Sequence, residues 1–138
     1  MINDDKERYS RQTILKGFGE AGQHKLSLAK VLVIGAGGLG CPALQYLTAA
    51  GIGCIGIADA DVISLSNLHR QTLYTTSEIG LLKVDIATKK LNAVNPNIKI
   101  IKHQLNLNLI IETHDTNGFE ANYLYTNLYT KTNDFTWF

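Results

Sequence analysis

Cysteine is scarce in this 138-residue sequence. Cys41 and Cys54 form no Cys-x-x-Cys pair, so the chain offers neither a disulfide framework nor the ligands of a structural zinc site, and zinc is not expected. Both thiols read as small core residues. An excess of one charge is equally lacking: 13 Lys and Arg against 12 Asp and Glu leave a formal net charge of +1. Nothing in that balance points to nucleic acid or a membrane surface as a partner. Long apolar runs are missing too, and a stretch such as residues 31–34 is far too short to span a bilayer. The opening MINDDKERYS is acidic and polar, without the basic and apolar regions of a secretory signal, which sets the expectation of a cytoplasmic protein. No internal repeat is visible. What is present, 45% hydrophobic and 18% charged residues, suffices for one domain with a real core.

KVLVIG (residues 30–35) is a short β-branched run ending in glycine and reads as a buried strand. In LGCPALQYLTAAG the apolar residues Leu39, Ala43, Leu44, Leu47 and Ala50 recur at helical spacing. Pro42 falls in the first turn, where a missing N–H does no harm, and Gly51 can close the end. CIGIAD (54–59) is a second strand, so strand, turn, helix and strand make a βαβ unit with parallel strands. A second helix is expected over 80–94, stopped by Asn95 and Pro96, and a third strand over 97–103. Residues 7–29 are moderately amphipathic and predict one or two helices ahead of the sheet. The organisation expected is a helical segment at 1–29, a nucleotide-binding core at 30–103 and an atypical tail at 104–138, rich in Asn, Thr and Tyr with poor periodicity.

The turn GAGGLG fits G-x-G-x-x-G directly after a strand and before a helix. Gly35 permits the tight turn, Gly37 lets backbone approach a phosphate, Gly40 lets helix and strand pack closely, and Gly38 adds clearance. Asp59, 19 residues beyond Gly40, stands where a carboxylate accepts hydrogen bonds from ribose hydroxyls. The fold class is therefore α/β, a Rossmann-like nucleotide-binding domain with a parallel sheet. The fingerprint serves NAD and ATP equally.

SLSNLHRQ (64–71) separates the two on electrostatic grounds. Hydride transfer needs a shaped nicotinamide pocket, whereas attack on the α-phosphate of ATP needs cations around a polyanion and its leaving pyrophosphate. Arg70 can present a guanidinium to two phosphate oxygens, Asn67 can donate from the same loop, and Lys83 in the following helix can add a second cation. Taken alone, a loop arginine or an isolated lysine is a solvated surface residue. Position after the fingerprint is what sets these apart.

RYSRQ at 8–12, GAGGLG at 35–40, ADAD at 58–61, SLSNLHRQ at 64–71, GLLKVD at 80–85 and Asn95-Pro96, in this order and at these spacings, resemble the ThiF/MoeB/HesA family over about residues 7–101. The resemblance implies an ATP-dependent adenylyltransferase that uses ATP and Mg²⁺ to activate the C-terminal glycine of a ubiquitin-like sulfur carrier protein, as in molybdopterin or thiamine biosynthesis. Gly38 would then belong to the phosphate turn and Asp59 to the ribose. Ser66, Asn67, Leu68, His69 and Arg70 would line the ATP, Lys83 would reach its phosphates, and Arg11 would extend into the neighbouring subunit's site of a homodimer. Asp61 would either assist at the site or bond a nearby helix or turn amide. Family members continue to an Asp-x-Thr-Asp-Asn type motif whose aspartate helps hold Mg²⁺; here THDTNGFEANYL resembles it faintly, with Asp115 the nearest candidate. The expectation is thus a shortened or degraded member. The alternatives are a catalytically incompetent ATP-binding and dimerisation module, and an NAD-dependent oxidoreductase, which Asp59 permits but Asn67, Arg70 and Lys83 do not support.

Overall fold

A computed structural model describes residues 3–105 and 123–125. Three helices come first, α1 (Asn3–Arg8), α2 (Ser10–Thr13) and α3 (Gly19–Leu28), where sequence periodicity predicts one or two. The sheet then begins with β1 (Lys30–Ile34), followed by α4 (Gly40–Ala50), β2 (Cys54–Ala58), α5 (Lys83–Val94), β3 (Lys99–His103) and β4 (Tyr123–Tyr125). All the pairings are parallel and the strand order is β3-β2-β1-β4. β4 is a strand within the segment whose poor periodicity predicted none. It lies on the opposite side of β1 from β2, so the order reverses at β1, and the C-terminal end of β1 becomes a topological switch point of the kind where α/β sheets bind ligands.

Alternation along β1 divides the core. Val33 packs with Leu44 of α4, Ile55 and Ile57 of β2, and Val84, Ala87 and Leu91 of α5, all essentially without exposure. Leu32 and Ile34 point to the other face, with Ala58 and half-buried Cys54. Cys41 is a core residue as expected, while Cys54 is only partly buried. α4 ends where Gly51 adopts φ 87°, a left-handed conformation that glycine takes without a Cβ clash. α5 starts at Lys83 rather than 80, because Gly80 has φ 88° and Leu82 bridges back to Val62, so the preceding residues are held in extended pairing.

Polar side chains bind the N-terminal helices to the sheet. Tyr9 is buried, and Asn95, with no exposure at all, donates from Nδ2 to the Tyr9 hydroxyl at 2.8 Å and to the Thr48 carbonyl at 3.0 Å. Gln12 Nε2 donates to Gln23 Oε1 and, at 3.0 Å, to the Ala50 carbonyl, which also accepts from Gln23 Nε2 at 3.1 Å. Arg8 Nη1 donates to the Val94 carbonyl at 2.8 Å, at the end of α5 where a cation suits the helix dipole. RYSRQ and Asn95-Pro96 thus meet in space, and most of their residues serve architecture. Tyr9→Phe keeps the ring but removes one acceptor from Asn95, so urea unfolding is expected to show a loss of about 1 kcal/mol.

Candidate nucleotide-binding site

Gly35 leaves β1 with φ 88°, which fixes its requirement for glycine, and α4 begins at Gly40. The turn between them is clamped by side chains from three elements. Asp59, at the end of β2 and 8% exposed, accepts the Ala36 N–H on Oδ2 at 2.7 Å and the Asp61 N–H on Oδ1 at 2.7 Å. Asp59 is thereby the strut of the glycine turn, and each of its carboxylate oxygens keeps a second lone pair to offer. Tyr74 donates its hydroxyl to the Ala36 carbonyl at 2.8 Å, and the Cys41 thiol meets the same carbonyl at 3.4 Å. Burial pushes the Tyr74 phenol well above its ordinary pKa, with Cys41 and Asp59 adding to the effect, so the phenol keeps its proton. Burial likewise raises the Cys41 thiol against opposing bonds from Leu73 and Tyr74 and the nearby Lys83 charge.

Residues 64–74 cross above this turn. Asn67 ends a 3-10 turn (Leu65–Asn67), and its carbonyl accepts the N–H groups of Arg70 and Gln71 at 3.1 and 3.0 Å. The Arg70 side chain lies over Gly38: a Cβ built there would meet its Cδ at 3.2 Å and Cγ at 3.3 Å. The clearance expected of Gly38 is therefore taken up by an arginine. Arg70 Nη2 donates to Asn67 Oδ1 at 3.1 Å, and Nη1 lies 3.4 Å from His69 Nε2. Because Asn67 accepts with its oxygen, its amide hydrogens remain directed elsewhere, in keeping with a donor role. Leu68 packs against the core, while Ser66 is exposed and shares a hydrogen bond with Ser64 at 3.1 Å.

Lys83 is not a solvated surface residue. Its side chain is 4% exposed and its Nζ pairs with Asp61 Oδ2 at 3.0 Å, with Asp61 71% exposed. Asp61 therefore serves as the ammonium's counter-ion. Arg11 stands apart, exposed in the last turn of α2 and without a hydrogen bond or ion pair among the described residues. Asp115 lies outside the described residues. Among the described residues no group of three or more His, Cys, Asp or Glu comes together as a metal site. No described helix is long and apolar enough to cross a membrane.

The structure brings together Gly35, Gly37, Gly38, Gly40, Asp59, Asn67 and Arg70 at the switch point, with Lys83 held nearby by Asp61. The sequence profile of the ThiF family matches residues 9–124. The chain belongs to the ThiF family. The matched region reaches beyond residue 101 and into β4. The adenylyltransferase and sulfurtransferase uba4 of Aspergillus niger is 50% identical over 107 residues, covering 78% of this chain and 22% of that protein. UBA4 of Saccharomyces cerevisiae is also 50% identical, with 76% of this chain and 24% of that protein covered. The chain thus spans less than a quarter of the length of these two ThiF-type relatives. Among solved structures, Escherichia coli MccB with ATP superposes with a TM-score of 0.71 at 33% identity, covering 78% of this chain and 33% of MccB. Escherichia coli TcdA, with a TM-score of 0.73 at 23% identity over 81% of this chain and 46% of its own, shares the fold.

Tyr74 was not legible as a site residue, because an aromatic in a loop carries no periodic or motif signal. Its contact with the glycine turn spans 38 positions.

Proposed function

We propose that this chain is an ATP-dependent adenylyltransferase, or the nucleotide-binding part of one, which activates the C-terminal glycine of a ubiquitin-like sulfur carrier protein. The observation that carries the reading is Arg70 lying across Gly38, which puts a guanidinium beside the turn built to receive phosphates. Arg70 and the Asn67 amide bind and orient the triphosphate, Lys83 adds positive charge near the turn, and Asp59 accepts from the ribose. Ser66, Leu68 and His69 complete the wall along the nucleotide. With the phosphates fixed, a carrier carboxylate attacks the α-phosphorus, forming the acyl-adenylate and expelling pyrophosphate. Arg70 stabilises the negative charge developing on that leaving group. Mg²⁺ would neutralise the same charge when bound with ATP, and none of the described residues gathers a cluster to hold it.

The exposed, unpaired Arg11 supports a homodimer in which it reaches the partner's nucleotide. A cytoplasmic location, without nucleic acid or membrane as a partner, belongs to the same proposal. The test is exchange of labelled pyrophosphate into ATP with a purified carrier ending in Gly-Gly. Carrier-dependent exchange is the expected result, together with a dimer in sedimentation. ATP binding without exchange at any carrier concentration would reduce the chain to a nucleotide-binding module, and tighter binding of NAD than ATP would remove the adenylyltransferase reading altogether.

A further inference from the structure

Ala36 is fully buried, and both of its backbone polar groups are taken by side chains: the N–H by Asp59 at 2.7 Å and the carbonyl by Tyr74 at 2.8 Å. The Ala36–Gly37 peptide is trans. In a trans peptide the carbonyl and the following N–H share a plane and point in opposite directions. Holding the Ala36 carbonyl toward the Tyr74 phenol therefore turns the Gly37 N–H the other way. No acceptor among the described residues takes that N–H, although Gly37 itself is buried and a buried donor without a partner is costly. The cost falls away if an anion supplies the acceptor.

Tyr74 is itself firmly placed. Lys90 Nζ donates to the Leu73 carbonyl at 2.7 Å and pairs with Glu78 at 2.7 Å, while Glu78 Oε2 accepts the Thr75 N–H at 2.8 Å. The residues on both sides of Tyr74 are thus tied to α5 and to the 3-10 turn Thr76–Glu78. The same loop that lays Arg70 over Gly38 sends the Tyr74 hydroxyl to the Ala36 carbonyl, holding the turn at two points.

We propose that Tyr74 is a positioning residue for the nucleotide site: its hydroxyl sets the plane of the Ala36–Gly37 peptide so that the Gly37 N–H is aimed at the phosphates of bound ATP. This rests on the ATP reading above. The role is indirect, since the phenol points into the protein and touches no nucleotide.

The test compares the full chain with Tyr74→Phe, which keeps the ring in the core and removes only the donor. In titration calorimetry the dissociation constant for ATP is expected to rise about five- to tenfold, the effect of one lost hydrogen bond, while adenosine affinity stays within about twofold. A purely architectural tyrosine would cost both ligands alike, and that result would overturn the proposal. A second measurement needs no variant: on titrating the unmodified chain, ATP should move the Gly37 amide resonance strongly and adenosine should leave it in place. If ATP binds but the Gly37 amide does not respond, the role of Tyr74 falls while ATP binding stands. If the unmodified chain binds no ATP, the adenylyltransferase reading falls, and this inference falls with it.

Discussion

Arg70→Ala is expected to weaken ATP binding by about 1.5–3 kcal/mol, the worth of a hydrogen bond to a charged group, or roughly ten- to 150-fold in dissociation constant. Adenosine, which has no phosphates, should bind the variant as it binds the parent. The contrast follows from position: Arg70 is exposed, its aliphatic stem lies on Gly38, and its guanidinium is steadied by Asn67 rather than by an acidic partner. Its charge is therefore available to a ligand. Folding should be nearly untouched, by within about 0.5 kcal/mol, as for exposed residues generally. Calorimetry with both nucleotides decides the matter, and equal losses would make Arg70 a packing residue. Arg70→Lys should recover only part of the affinity, since an ammonium cannot offer the planar fork that meets two oxygens together.

The largest expected effect on stability comes from a glycine outside the fingerprint. A Cβ added at Gly53 would sit 1.8 Å from the Ser27 carbonyl oxygen and 2.7 Å from the Ser27 carbonyl carbon. Both obstacles are backbone atoms, so no side-chain rotation relieves them. Gly53 also donates its N–H to the Leu26 carbonyl at 3.0 Å and accepts the Lys99 N–H at 3.0 Å, joining the end of α3 to the starts of β2 and β3. Gly53→Ala must push α3 away and break at least the first of these bonds. Overpacking against backbone and a lost part-buried hydrogen bond together should cost about 3 kcal/mol or more, and lower the thermal midpoint by on the order of 15 °C in a domain of this size. Gly17→Ala is the control: at φ 85° with nothing within 4 Å, it should cost only the left-handed strain of about 1–2 kcal/mol. Similar midpoints for the two variants would show that α3 can yield.

The parts of the fold that sequence exposes are those whose cause is local. Gly35 needs a positive φ, Pro42 fits a first helical turn, and the β-branched run through Val31 and Val33 fits a strand, so β1, the turn and α4 can be read from adjacent residues. Arg70 and Asn67 were legible as candidates beside the turn because they follow the fingerprint at a spacing that chemistry can interpret. Lys83 was legible as a candidate cation but not in its state, since its pairing with Asp61 joins residues 22 positions apart. β4 escaped because three residues carry too little alternation to register, and its pairing with β1 is a matter of topology. Gln12, Gln23, Thr48 and Asn95 look like ordinary polar residues until the chain is folded and they find one another. Tyr74 belongs with them.

The bonds from Arg8 to Val94 and from Asn95 to Tyr9 each span 86 positions. During synthesis the N-terminal helices emerge before the sheet, yet Val94 and Asn95, which bond Arg8 and Tyr9, are made only at the end of α5. Closing so long a loop costs entropy that is recovered only when its ends meet. The Arg8 and Tyr9 end of these helices is therefore settled late, although Gln12 and Gln23 can reach the Ala50 carbonyl once α4 is made. A ribosome that stalls before Asn95 would present a βαβ unit whose leading strap is fastened at its glutamines but not at Arg8 and Tyr9, which stay open to proteases and chaperones.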